Sequence, residues 1–121
     1  MSNIRAGTIS GVNGTDPVTL TKQVATKVWA KYNGSSVIAD SFNVSSTTDE
    51  ATTGQTTVNI TNALFFQAGK EYAAQGTCNG TSGDRFVTIA GQSASSYDTY
   101  TYDGSVRTEL PVGTMAVGEL A

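Results

Sequence analysis

The chain has no histidine, one cysteine, one tryptophan and a charged fraction of only 14% in 121 residues. Each shortage argues against a class of function. Without histidine there is no imidazole to relay protons near neutral pH, to activate a nucleophile or to supply the usual nitrogen ligand for zinc. Cys78 stands alone, so no internal disulfide can form, and it reads as a small residue on a strand. Seven basic residues are scattered from Arg5 to Arg107 and the net charge is −3, which leaves no positive stripe for nucleic acid. An anionic membrane surface is disfavoured for the same reason. No apolar run approaches the length of a membrane span. The opening MSNIRAGTISG has no apolar core of a secretory signal, so a product made in the cytoplasm is expected.

What is abundant points to pleated sheet. Ser and Thr fill about a quarter of the chain, with Thr the commoner, and Thr suits half-buried strand surfaces. Thirteen glycines punctuate the runs, and hydrophobic residues make up 38%. The low charge argues against a disordered tail. The length allows one domain with a modest core.

Residues 1–22 differ from the rest. Two short β-like pieces, Ile4 to Ile9 and Val18 to Leu20, flank the turn-forming GVNGTDP. Large apolar residues are too few here to seal a core, so this stretch reads as an extended N-terminal arm lying on a partner surface. Residues 23–121 form the domain. In VATKVWAKYN, Val24, Thr26, Val28, Ala30 and Tyr32 share one side, and Lys27, Trp29 and Lys31 share the other. The first side suits a core. Trp29 then sits among lysines, either covering a subunit interface with lysine stems along its ring or offering a stacking platform to a ligand.

NGSS at 33–36 is a hairpin signal. The following VIADSFNVSS places Ile38, Asp40, Phe42 and Val44 on one side, with Asp40 interrupting it, so a bulge or a strand end is expected there. Phe42–Val44 and Val58–Ile60 are expected to form a second hairpin with one apolar face. NALFFQAGKEY fits a short helical turn or a buried crossover. KEYAAQGTCNG, RFVTIAG, SSYDTYTYDGS and TMAVGEL supply further strands. Seven or eight strands with Gly, Asn and Asp turns predict an all-β, antiparallel β-sandwich or jelly-roll-like sheet pair.

No motif carries strong chemistry. GTISGVNGT has no following helix to make a phosphate cradle, and AGKEY lacks the spacing of a phosphate loop. DTYTYDGS has Asp98 and Asp103 but not the ligand spacing or late Glu of a calcium hand. Asp40, Asp49, Glu50, Asp84 and Asp98 offer carboxylates for glycoside hydrolysis only if a pair is suitably held. Five Asn-x-Ser/Thr triplets, at Asn13, Asn33, Asn43, Asn59 and Asn79, follow from composition. No cofactor is expected. Tyr97, Tyr100 and Tyr102, with Trp29, are the aromatic residues available to meet a sugar; as strand tyrosines they equally suit a core or a subunit contact.

TKVWAKYNG, then SFNVSS, then TTDEATTGQTTVNITNAL resembles, in order and spacing, a pattern of small tail-fibre-like virion proteins of tailed bacteriophages, especially aquatic ones. NIRAGTISGVNGTDPVTLT and YTYDGSVRTELPVGTMAVGEL resemble that family's two ends. The departures are Ala30, Lys31 and Tyr32 after the Trp, and a poor match from about Gly69 to Ser96. The resemblance implies a non-enzymatic virion protein that forms homotrimers, with Trp29, Lys27 and Lys31 at the contact between copies. The arm, through Ile4 and Ile9, would dock on other virion proteins, and a host-surface glycan is a further expected partner, with Tyr97, Tyr100 and Tyr102 as receptor contacts. The alternatives are a capsid cement or decoration protein and, from another class, a fragment of a carbohydrate-active enzyme.

Overall fold

The computed structural model describes residues 26–67, 72–80 and 83–118. Nine strands are found among them: β1 (Thr26–Tyr32), β2 (Ile38–Phe42), β3 (Val44–Asp49), β4 (Gln55–Ile60), β5 (Ala73–Cys78), β6 (Arg85–Ala90), β7 (Ser96–Asp103), β8 (Val106–Arg107) and β9 (Val112–Val117). They build two antiparallel sheets. The first has the order β2-β1-β9-β5; the second has the order β3-β4-β7-β6, with the short β8 also paired to β7. The all-β sandwich expected from the alternating runs is what forms. The strand order does not single out its jelly-roll variant. The arm, with Ile4 and Ile9, lies outside the described residues.

The sandwich follows from period-two burial. Val28, Ala30 and Tyr32 of β1 are buried, as are Thr56, Val58 and Ile60 of β4 and Tyr97, Thr99 and Thr101 of β7. Val112, Thr114 and Ala116 of β9 complete the inner face of the first sheet. Each large side chain so enclosed contributes about 1.5–3 kcal/mol relative to exposure. The core is also polar at chosen points. The Tyr32 hydroxyl on the first sheet meets Thr99 Oγ1 on the second at 2.6 Å, and the Tyr97 hydroxyl on the second meets Thr114 Oγ1 on the first at 2.8 Å. No buried side-chain polar atom among the described residues lacks a partner. That explains how so Thr-rich a chain keeps a dry interior without the desolvation cost of stranded hydroxyls.

Two backbone positions route the chain. Asn43 has φ 58°, a left-handed conformation that Asn tolerates better than most residues. There the chain leaves β2 in the first sheet and enters β3 in the second. The Asn43 amide donates to the carbonyls of Lys27 and Asn62, and its Oδ1 accepts from the Asn62 N–H at 2.7 Å, so the crossover is stapled. Phe42 and Val44 therefore belong to different sheets. The expected shared apolar face is corrected: Val44 pairs with Ile60, while Phe42 pairs with Trp29 and is 55% exposed. Gly54 has φ 73°, and a Cβ there would stand 2.8 Å from the Thr101 carbonyl oxygen. Only glycine lets the β3–β4 turn tuck against β7.

Residues 61–67, after β4, are not helical, and residues 68–71 of the stretch read as a turn or crossover lie outside the described residues. Leu64 is buried and its N–H donates to the Ala94 carbonyl at 2.9 Å, while Phe65 and Phe66 remain substantially exposed. It is a crossover anchored by one leucine. Phe66 and Tyr97 each meet the Tyr72 ring edge-on, with centroids 6.5 and 6.3 Å away.

Candidate functional site

The two outer faces of the sandwich differ in chemistry. On the first sheet, register sets Phe42, Trp29, Met115 and Gln75 in one row across all four strands: Trp29 pairs with Phe42 on β2 and with Met115 on β9, and Met115 pairs with Gln75 on β5. Phe42 and Met115 are 55% and 41% exposed, and Trp29 is half-buried between them. The next row reads Asp40, Lys31, Gly113, Thr77. Lys27 lies where the register of β1 slips against β9. The lysine-flanked tryptophan read from the sequence is thus on an outer face, with two apolar neighbours that local pattern did not pair with it.

Beside Trp29 the outer face sinks into an open hollow of about 600 Å³. Its walls include Trp29, Lys31, Gln75, Thr77 and Met115, and Gly113 lies in its floor. Phe42 is not among its lining residues. Trp29 consequently separates an apolar ledge on the β2 side from a mixed hollow on the β9–β5 side.

The second sheet's outer face carries Tyr100 and Tyr102. Tyr102 stacks on Phe86, its cross-strand partner on β6, with centroids 4.8 Å apart and planes within 9°. The Arg107 guanidinium lies 4.6 Å above the Tyr100 ring and 6.0 Å from that of Tyr102. Such contacts hold a flat sheet face together and keep the cation desolvated on one side. Arg85 and Asp103 form an ion pair at 3.0 Å nearby.

Tyr97 is a correction. Expected beside Tyr100 and Tyr102 as a receptor contact, it is fully buried, because residue 97 has the opposite parity along β7. Burial also pushes its phenol above the usual tyrosine range, as it does for Tyr32 and Tyr72. Cys78 lines the partly buried inner side of β5, and burial raises its thiol, so the neutral, unreactive form dominates near neutral pH.

Carboxylates do meet on the second face: the Thr57 hydroxyl is 2.7 Å from both Glu50 Oε1 and Asp98 Oδ1. Among the described residues no group of three or more His, Cys, Asp or Glu is placed to hold a metal ion. No helix among them is long and apolar enough to cross a membrane. No protein-family model, no curated protein and no solved structure matches this chain.

Proposed function

We propose that the chain is a non-enzymatic structural protein of a bacteriophage virion, a tail- or head-fibre-like β-sandwich that works as an assembly of its own copies. What supports the reading is the row Phe42–Trp29–Met115, three large apolar side chains adjacent across three strands and facing outward. A contiguous apolar patch on a small domain is characteristic of an interaction surface. Lys27 and Lys31 flank it and supply a polar rim. The sequence resemblance supplies the class of particle and the homotrimer. In this reading the contact between copies is centred on the Phe42–Trp29 ledge, and residues 1–22 attach the assembly to other virion proteins.

The reading is tested on particles lacking this chain. Loss of host adsorption with intact heads supports the fibre. Loss of capsid stability with normal adsorption replaces it with a cement or decoration role. Release of reducing sugar from host polysaccharide by the purified chain overturns the non-enzymatic assignment.

A further inference from the structure

We propose that the hollow over Gly113 is a binding site for an acidic pyranose sugar, a uronic acid ring stacked on Trp29 with its carboxylate toward Lys31. The inference starts from a glycine the fold does not need. Gly113 sits in the interior of β9, a central strand, where glycine weakens pairing by its extra backbone entropy. Its φ is not in the left-handed region, which among the described glycines is adopted by Gly54, Gly91 and Gly104. A Cβ built on it meets nothing closer than Thr77 Oγ1 at 3.7 Å, an ordinary contact. Neither backbone geometry nor packing therefore excludes a larger residue. What a side chain at 113 would do is project into the hollow. A glycine inside a strand is the residue that lets another molecule approach the backbone closely.

The walls select the ligand. Trp29 and Met115 form an apolar side, and the indole is a flat surface for the C–H face of a sugar ring. Gln75 and Thr77 are neutral donors and acceptors suited to ring hydroxyls. A site with a mostly apolar wall and a few convergent polar groups, of this volume, has the make-up of a small-molecule pocket. Lys31 is the only charged side chain in the lining. Its cross-strand neighbour Asp40 accepts the Ser41 N–H at 2.9 Å and forms no ion pair with Lys31, Arg85–Asp103 being the one ion pair among the described residues. In a chain of net charge −3, an open lysine beside an aromatic wall is a local match for an anion. On the other sheet's outer face the Arg107 cation is already laid over the Tyr100 and Tyr102 rings.

The site does not need the virion reading, but it shares Trp29 and Lys31 with the proposed contact between copies, so a sugar and a second copy compete for this face. Trp29 is the sole tryptophan, so intrinsic fluorescence reports on the face that holds this hollow. Methyl glucuronide and methyl glucoside are titrated separately into the full chain. The expected result is a saturable fluorescence change with the glucuronide, weaker at high salt, and a response to the neutral glucoside weaker by about tenfold. Gly113→Val, which raises side-chain atoms into the hollow beside Trp29, abolishes the response while circular dichroism stays that of the parent. Lys31→Gln, a change at an exposed position, lowers glucuronide affinity by about tenfold without altering the weak glucoside response. No saturable change with glucuronide, equal affinity for both sugars, or an undiminished response in Gly113→Val overturns the proposal. Solution mass is measured in parallel, so failure of self-association leaves this result readable.

Discussion

Tyr32 on β1 donates its hydroxyl proton across the sandwich to Thr99 on β7. The direction follows from Thr99, whose own hydroxyl donates to the Thr56 carbonyl at 3.1 Å and so accepts at 2.6 Å from Tyr32. The second bridge, Tyr97 to Thr114, runs from the opposite sheet. The two tyrosines thus tie the sheets together reciprocally at their centres.

These bridges are not equivalent. Tyr32→Phe removes one hydrogen bond but leaves Thr99 bonded to Thr56, so a loss of about 0.5–1.5 kcal/mol is expected. Tyr97→Phe leaves the Thr114 hydroxyl, which is buried, without its side-chain partner. The loss there is about 1–3 kcal/mol, because a stranded buried hydroxyl adds its desolvation cost. Urea unfolding of the two variants checks the order. Equal losses, or a larger loss for Tyr32→Phe, contradict it.

The same tyrosines set the behaviour in alkali. Burial raises the Tyr32 and Tyr97 phenols above their unfolded value of about 10. Below about pH 10 both states keep the protons, and the stabilisation is intact. Above it the unfolded chain ionises while the native chain does not, so stability falls as pH rises. Each tyrosine contributes a slope of about 1.4 kcal/mol per pH unit in that window. Denaturation midpoints measured from neutral pH upward, with tyrosinate absorbance followed alongside, test this. Phenolate from Tyr32 and Tyr97 should appear together with loss of native circular dichroism. A double Tyr32→Phe, Tyr97→Phe variant with an unchanged alkaline slope is inconsistent with this origin.

Two glycines separate a structural requirement from an optional one. Gly54→Ala forces a Cβ to 2.8 Å from the Thr101 carbonyl at a φ of 73°, so a loss of about 1–3 kcal/mol is expected. Gly113→Ala meets ordinary contacts and a permissive backbone, so it should gain about 0.4–1 kcal/mol by restricting the unfolded chain. Differential scanning calorimetry of both proteins decides. A destabilised Gly113→Ala shows that glycine is needed there by the fold, and removes the argument that the hollow is kept for a ligand.

The strands were legible where one face is buried and one is wet. Thr26–Tyr32, Gln55–Ile60 and Ser96–Asp103 record burial as strict alternation, so their core faces follow from the residues alone. Parity also separates Tyr97 from Tyr100 and Tyr102, a distinction that residue type alone does not carry. Phe42 was misplaced because a single Asn in the left-handed region moves the chain between sheets, and alternation cannot register that step. Asp40 was the visible clue: a charge in an apolar row suits an outer face. The row Phe42–Trp29–Met115 joins residues distant in sequence, and only strand order brings them together. Gly113 was illegible for another reason. Its meaning lies in the space above it, which belongs to residues from three strands.

The apolar ledge gives the sharpest test of self-association. Phe42 is 55% exposed on edge strand β2, so Phe42→Ser should change the stability of the isolated subunit by no more than about 0.5 kcal/mol. Trp29 is half-buried against its neighbours, so Trp29→Ala costs some packing as well. If the ledge is the contact between copies, both behave as central aromatic anchors, and each weakens association by about 2 kcal/mol or more, roughly thirtyfold. Sedimentation equilibrium on the parent should give about three times the 12.5 kDa subunit mass at micromolar concentration, and a shift toward subunit mass in both variants. Phe42→Ser is the cleaner arm, because its effect on the lone subunit is small. A parent that stays at subunit mass removes the homotrimer. A trimer that survives Phe42→Ser and Trp29→Ala unchanged moves the contact to another surface, for which the face carrying exposed Phe86, stacked on Tyr102, is a candidate.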